Sequence, residues 1–366
     1  MSKWSFVAIL LLSICMAGCT GDSGGRSHSD TGSQNENAGI AGETRSFADR
    51  NIDEKIDENL YVQAEFHMPE QELFTYSSKL KKFDDKVQSV FWKNADAGKI
   101  KKDEFGSRYY GGAELGIGGD DGVMIYRANK DINYIETLCS YAKDENIIPE
   151  KNLKFATAEQ AAGEVEKLVS KLGIGCELGK PSVTALNSRD LSEVQKKIME
   201  DDIGDILRAK KTGNKKFDSS MEVYYFEYPF VLNQIRVFGN DEPPIRLSGD
   251  EPLPAQAMNL TAIVSKSGIE ELMVSGVLDK LSSASGKAEI MGYDGIKRAL
   301  EKKFGDVILK ETYKVTNIWM EYFPLIKPDS FNQVNVTPVW CCDFEIGGKK
   351  QDYTLRFNAV TGEEIA

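Results

Sequence analysis

Apolar residues recur at helical spacing in two stretches of the chain. Between Ala158 and Leu172 they share one helical face, and Gly173 supplies a C-terminal stop. Thr157 and Gln160, just before and inside this stretch, fit a capping box. A second apolar helical face ends in the same way, at a glycine; it consists of Ile296, Ala299, Leu300 and Phe304, followed by Gly305. The pattern predicts a helix at each place.

Two weaker periodic stretches also predict helices. Within residues 76–92, further apolar residues follow Leu80 at offsets of three, seven, ten and eleven, and these positions lie on one helical face. Residues 191–210 form the other stretch, and they contain the acidic cluster 200–205. A calcium loop needs alternating oxygen ligands closed by a glutamate at fixed spacing, which this cluster lacks. We interpret it as the solvated face of a helix.

Strand patterns occupy much of the remaining chain. Tyr224, Phe226, Tyr228 and Phe230 alternate along one face of an extended segment, which favours sheet core over an exposed stacking surface. The segments 260–264 and 269–278 are expected to pair as a hairpin. The glycine-rich segment 111–122 lacks the third glycine of a dinucleotide fingerprint and any following Gly-Lys-Ser/Thr, so a hairpin turn is the better interpretation. Residues 59–68 also predict a strand.

The order of elements recurs toward the C-terminus. After the helix ending at Gly305 we expect a long strand at 307–323, an aromatic strand at 338–346, a Gly347-Gly348 turn and a last strand through Tyr353, Leu355 and Phe357. The earlier half shows a similar order with a helical insertion near 190–215, so the body is expected to contain two pseudo-symmetric units. The predicted fold class is α+β, with helices packed on antiparallel sheets. The expected divisions are an N-terminal α/β segment at 51–150, a first unit at 151–285 and a second unit at 286–366.

Two short sequences in the second unit resemble a known family. Pro338-Val339-Trp340 and the ending Asn358-Ala359-Val360-Thr361-Gly362-Glu363 are similar to the PepSY-type αβββ module. The tandem arrangement resembles the extracytoplasmic YycH/YycI regulators of bacterial sensor kinases. The resemblance covers 290–366 well and 155–280 loosely, and it implies non-catalytic binding or regulation without naming a ligand. Those regulators are held by a transmembrane helix, which is not expected here, so kinase regulation through membrane helices is in doubt.

The N-terminus has the profile of a lipoprotein signal peptide. Lys3 precedes an apolar run at 6–12 that is too short for a comfortable bilayer span. Met16-Ala17-Gly18-Cys19 resembles a bacterial lipobox, which implies removal of residues 1–18 and lipidation of Cys19. The alternative is an ordinary secretory signal with a chance cysteine. Residues 19–50 are then the lipidated cysteine and a disordered tether with a reach of roughly 30 Å.

The charge of the chain bears on its partners. The 45 basic and 57 acidic residues give a net charge of −12, and loss of Lys3 with the leader makes it −13 (44 − 57). A body this acidic is repelled by anionic lipid headgroups, so the acyl chains on Cys19 are expected to hold the membrane. Nucleic acid is not expected as a partner, because its binding depends on neutralising phosphates.

The common catalytic residue types are scarce. The chain contains only two histidines, His28 and His67. The first lies in the tether, and the second is expected at a strand end, as a structural or surface residue. Neither a hydrolase triad nor a zinc site of several histidines is therefore expected. Besides Cys15 in the leader and Cys19 in the lipobox, the chain has four cysteines, which form no Cys-x-x-Cys pair; they are Cys139, Cys176, Cys341 and Cys342. Cys341 and Cys342 are expected on opposite faces of a strand, and Cys139–Cys176 is the first guess for a disulfide whose existence stays open.

These observations predict a non-enzymatic lipoprotein without cofactor or metal. It is expected to lie outside the cytoplasm, anchored by lipid to the cell membrane, and to act as a regulatory or binding module with an envelope protein partner. The alternative is a ligand- or cell-wall-glycan-binding lipoprotein with an aromatic cleft between the repeats. That alternative requires an exposed face at Tyr224, Phe226 and Tyr228. An enzyme would need a cleft of convergent carboxylates.

Overall fold

The structure is a computed structural model that describes 50–119, 121–145, 152–200, 215–238, 253–282, 287–328, 330, 332–351 and 354–365. Residues 47–366 form one compact unit. Cys19, His28, most of the acidic cluster and Tyr353 lie outside the described residues.

Strands dominate the described residues, which contain 19 strands and five α-helices. The strands are β1 Arg50–Asp57, β2 Leu60–Phe66, β3 Tyr76–Lys79, β4 Lys101–Lys102, β5 Arg108–Tyr110, β6 Ala113–Ile117, β7 Met124–Arg127, β8 Glu177–Leu178, β9 Ser182–Leu186, β10 Val223–Leu232, β11 Ile235–Val237, β12 Leu253–Pro254, β13 Asn259–Ser265, β14 Gly268–Ser275, β15 Tyr313–Ile326, β16 Gln333–Ile346, β17 Lys349–Lys350, β18 Leu355–Asn358 and β19 Glu364–Ile365. The helices are α1 Gln88–Phe91, α2 Ile132–Asp144, α3 Ala158–Val169, α4 Ser188–Glu200 and α5 Tyr293–Phe304.

One part of the sheet is antiparallel throughout, in the order β4-β5-β6-β7-β14-β13-β10-β9. Helix α3 packs on one face, over the aromatic side chains of β10. Helices α2 and α4 cover the opposite face, where they contact Val223 and Tyr225. Alternate side chains of β10 therefore point to opposite faces of the sheet and are buried in two separate hydrophobic cores.

The other part of the sheet is mixed and centres on the long hairpin β15–β16. Strand β2 pairs parallel with β15, while β18 and β3 both pair antiparallel with β16. Helix α5 covers one face, around the fully buried Trp340. The last residues of β10 pair with β11, so β10 belongs to both parts.

The predicted fold class is wrong. The described chain is not two small αβββ units with a separate N-terminal segment, but a large mixed sheet to which that segment contributes strands. Strand β7 pairs with β14, and β2 and β3 pair with β15 and β16. The physical reason is that β14, β15 and β16 need hydrogen-bonding neighbours along their edges, and these come from distant sequence. Hydrogen bonds therefore cross both expected divisions, near 150 and 285.

Many local predictions are confirmed. The capping box of Thr157 and Gln160 is present at α3, and α5 begins just after Gly292. The hairpin β13–β14 and the hairpin β6–β7 form where the glycine and serine turns predict them. The glycine pair at 347–348 turns with φ of 57° and 78°, values that favour glycine.

Other local predictions are wrong. The helix expected at 76–92 is mostly β3 and loop, with only α1 and a single 3₁₀ turn, because Tyr76–Lys79 pairs with β16. Its apolar residues Leu80, Phe83 and Val87 are buried nonetheless. The strand expected from 307 begins at Tyr313. The helix expected over 191–210 is present but begins earlier, at Ser188; it is described to Glu200, and the rest of the expected range lies outside the described residues.

Candidate binding site

The aromatic face that the alternative, glycan-binding interpretation requires is not exposed on the described surface. Tyr224, Phe226 and Tyr228 are all at most 1% exposed and lie under α3. The Tyr224 hydroxyl accepts from the Leu153 amide at 2.6 Å and donates to the Ala156 carbonyl at 2.9 Å. These three residues, the aromatic stripe of β10, belong to the sheet core, as the residue pattern favoured, and they offer no stacking surface.

The described cysteines are free thiols in protected surroundings. Cys139 and Cys176 belong to different core clusters, so the guessed disulfide between them is wrong. Cys342 packs with Trp340 under α5, and Cys341 lies on the other face, as predicted. Burial raises the pKa of Cys176 and Cys342 to about 12 and that of Cys139 and Cys341 well above the usual value. These thiols stay protonated and do not supply a thiolate nucleophile.

His67 is exposed, as predicted for the end of β2. Its side chain is 60% exposed, and Nε2 lies 3.4 Å from the Glu65 carboxylate. An exposed imidazole beside one carboxylate on the same strand is a solvated surface pair. Nothing in this arrangement points to general base catalysis.

The described surface has two adjoining depressions between α5 and the C-terminal strands. They have volumes of about 220 and 300 Å³ and share Lys303 and Glu364. The Lys303 ammonium lies 2.5 Å from a Glu364 carboxylate oxygen, which closes the floor between helix and strand. Other residues line the two depressions; they are Ala299, Lys302, Phe304, Thr354, Leu355, Arg356, Phe357, Gly362, Glu363 and Ile365. Both are shallow and suit a surface contact better than an enclosed small molecule.

The alternation of β18 places a second candidate surface on the opposite face of the sheet. Leu355 and Phe357 are buried in the core beneath α5, so Arg356 between them points to the other face of the sheet. There its guanidinium carbon lies 5.1 Å from the ring centre of Phe238 and 5.3 Å from that of Phe323. Two aromatic faces thus hold the cation by cation–π contact.

Arg356 differs from its neighbour Arg236 in having no anionic partner among the described residues. Arg236 also lies over Phe238, at 4.7 Å, but it pairs with the buried Glu321 carboxylate at 3.7 Å. The other Glu321 oxygen accepts from the Cys341 thiol at 3.5 Å. By contrast, Nε of Arg356 is buried and has no hydrogen-bond partner among the described residues. The side chain as a whole is partly exposed, so its accessible edge is suited to binding a carboxylate or phosphate oxygen.

Sequence reasoning missed these residues, although a signal was available. Glu321 and Arg356 are single charged residues inside the strongly apolar segments Trp319–Phe323 and Leu355–Phe357. A lone charge in a strand core requires a partner or a function. Which partner it has depends on strand pairing, which the local pattern does not contain.

Among known proteins, a solved structure shares the fold of this chain, but no known family matches it. No family model matches the chain, and no curated protein matches it. A crystal structure of an uncharacterised protein from Eubacterium rectale is similar in fold, with a TM-score of 0.53 over 86% of this chain and 93% of that chain. The identity is 17%, so the likeness shows the fold alone.

Two further properties of the described residues bear on function. No helix among them is long and apolar enough to cross a membrane. Within the same residues, no group of three or more His, Cys, Asp or Glu side chains is arranged to hold a metal ion.

Proposed function

We propose that this protein is an extracytoplasmic lipoprotein, anchored through Cys19, that acts as a non-catalytic binding or regulatory module with an envelope protein partner. The observation that carries the proposal is the lipobox Met16–Cys19 followed by a polar segment up to the first strand at Arg50. The buried aromatic stripe leaves the glycan-binding alternative without the surface that motivated it. The regulatory role follows from the PepSY-type resemblance alone.

Anchoring is tested by metabolic labelling with an alkyne-tagged fatty acid. Wild-type protein is expected to incorporate the label and to begin at Cys19, whereas Cys19→Ala should remain unlabelled at precursor mass. Cys15→Ala, which removes a thiol inside the leader, is the matched control and should label normally. Equal labelling of wild type and Cys19→Ala would overturn the proposal.

The contact surface we propose lies on the face of the sheet opposite α5, around the Arg356 guanidinium. Among the described residues no carboxylate pairs with this partly exposed side chain, so a partner's carboxylate would bind its accessible edge. The surrounding Phe238, Phe323 and Ile365 provide an apolar margin that lowers the local dielectric and strengthens such a contact. Arg next to aromatic side chains is also the composition found at energetically important interface positions.

Crosslinking in envelope membranes tests this surface. Arg356→Gln, which removes the charge and keeps a polar side chain, is expected to reduce capture of the partner about tenfold, as loss of a charge-assisted hydrogen bond predicts. Arg189→Gln removes an equally charged side chain from the exposed Arg189–Glu193 pair and should leave capture unchanged. Undiminished capture by Arg356→Gln would show that the partner binds elsewhere. Specific retention of glycan with no protein captured would contradict the proposed partner class.

A further inference from the structure

A glutamate is buried in the sheet beneath helix α2. Glu271 lies on β14 and is 1% exposed. Its Oε2 accepts a hydrogen bond from Nε of Arg127 at 3.0 Å, while Oε1 is buried and has no hydrogen-bond partner in the part of the chain that the structure describes. An ionised carboxylate with a dry, unpaired oxygen is costly, so this group favours gaining a proton or an additional donor.

Strand register and helix packing bring a second carboxylate to the same place. The pairing of β7 with β14 sets Arg127 directly opposite Glu271. Glu136 lies on α2, one turn before Cys139 and Ser140, on the part of the helix that packs against the sheet. The charge of Glu136 acts on Glu271, and both act on the buried Cys139 thiol. The two carboxylates therefore belong to one cluster between helix and sheet.

The charges around this cluster do not balance. Arg127 is the one described cation that acts on both Glu136 and Glu271. Glu114 lies opposite Arg127 on β6, so it adds negative charge to the same neighbourhood. On β10, Glu227 pairs with Lys143 of α2. The remaining groups that face the cluster are neutral; they are the Cys139 thiol, the Tyr225 phenol, Ile263 of β13 and the apolar residues of α4 (Leu191, Val194 and Ile198).

Both carboxyl groups resist ionisation. Burial, followed by the charge of Glu136, raises the pKa of Glu271 to about 7 against the pull of Arg127. Burial likewise raises the pKa of Glu136, which Arg127 opposes. Burial keeps the Cys139 and Tyr225 pKa values above their usual range, so neither group takes over the titration near neutrality. The pair thus shares a proton where most glutamates are ionised.

We propose that Glu136 and Glu271 form a proton-binding site that holds α2 on the sheet, so that the packing of this helix depends on the surrounding pH. With one proton bound, a neutral carboxyl group and a carboxylate face one guanidinium, and the charges balance. When the proton leaves to solvent, two carboxylates face the same guanidinium, and the carboxylate of Glu271 is buried away from water. Their repulsion then favours states in which α2 moves away and water reaches Glu271. This inference does not depend on the proposed anchoring or partner.

Hydrogen exchange measured in the full-length protein across pH 5 to 8 tests the site. After correction for intrinsic exchange rates, the opening equilibrium of α2 is expected to increase on the order of 100-fold over this range, because opening returns the buried carboxyl to a normal pKa. Helix α5 in the same molecules is the internal reference, and its opening should stay constant. Glu271→Gln and Glu136→Gln should each abolish the increase at α2.

A matched control separates the site from a general charge effect. Glu164→Gln removes one carboxylate from the exposed face of α3 and should retain the wild-type increase at α2. If Glu271→Gln fails to fold, Glu136→Gln decides, since its side chain is only half-buried. An α2 opening that is constant from pH 5 to 8 in wild type would overturn the proposal. So would a full wild-type increase in both glutamine variants.

Discussion

Two helix-covered faces of the sheet differ in what they bury. Beneath α5 the core is built from Trp340, Cys342, Phe344 and other apolar side chains, and the Trp340 indole Nε1 donates to the Met291 carbonyl at 3.0 Å. Beneath α2 the core also contains Glu271 with an unpaired oxygen, near Glu136 and Arg127. The α5 face has ion pairs at its rim, among them Lys297 with Glu54, both about one-third exposed.

The difference shows that two similarly packed helix–sheet interfaces can differ in their sensitivity to pH. Burial of apolar area changes little with pH, so the α5 face should respond to loss of volume and hardly to protons. The α2 face contains groups whose ionisation changes near neutrality, so it should respond to both. Each prediction below changes one side of this comparison.

The largest expected effect is on the α5 face. Trp340→Ala removes a fully buried indole that lies 5.0 Å from the Phe66 ring, and it should lower the free energy of unfolding by about 3–5 kcal/mol. Denaturant titration at pH 5 and pH 8 should give the same loss at both values. Trp319→Ala is the matched control on the neighbouring strand; Trp319 is only partly buried, so a smaller loss is expected. A loss at Trp340 that depends strongly on pH would contradict the comparison.

The next effect is on the α2 face and has a defined sign. The folded-state pKa of Glu271 is raised from 4.5 to about 7, so its contribution to stability is fully present below about 4.5 and is lost as the pH rises through about 7. Glu271→Gln should therefore increase the free energy of unfolding at pH 8 by on the order of 2 kcal/mol, from about 1.4 kcal/mol per pKa unit less the weakened bond to Arg127. At pH 5 the variant should match wild type. Equal destabilisation at both pH values would mean that Glu271 serves only as the ionised partner of Arg127.

The smallest effect concerns α3, which covers the opposite face of the same strands. Thr157→Ala removes the hydroxyl that accepts from the Gln160 amide at 3.2 Å, and should cost about 1 kcal/mol of unfolding free energy. Thr157→Ser keeps the oxygen and should retain most of the stability. Thermal unfolding at pH 5 and pH 8 should give the same difference, because no titrating group takes part in the cap. A pH-dependent loss would indicate that the α2 face is coupled to α3.

The sequence predicted local structure well where the signal is local. The capping box at Thr157, the apolar face of α5 and the alternation of the β10 aromatic residues all appear in the structure as predicted. It failed at 76–92, where helical periodicity competed with pairing to β16; Tyr76 pairs there with Val336, more than 250 residues away in sequence. The same long-range pairing made the predicted fold class wrong. An internal repeat describes the order of elements, not which edges they join.

The sites could be predicted less well. Cys19 comes from a contiguous motif, so it could be proposed without a fold. Arg356 and Glu271 appear in the sequence only as single charges in apolar strands, among many charged residues. Their meaning depends on the lack of a partner at Arg356 and the excess of carboxylates around Arg127, and both are properties of the assembled sheet.

The most direct test of the contrast between the two faces is a titration of glutamate side-chain carboxyl carbons by ¹³C NMR, with Glu271→Gln and Glu136→Gln used for assignment. We expect one coupled pair of resonances that takes up a proton near pH 7 and is lost in both variants. The Glu54 carboxyl beside α5 should not belong to this pair. If every glutamate in the wild-type protein titrated below about pH 5.5, near the ordinary range, the proton-binding site beneath α2 would be disproved.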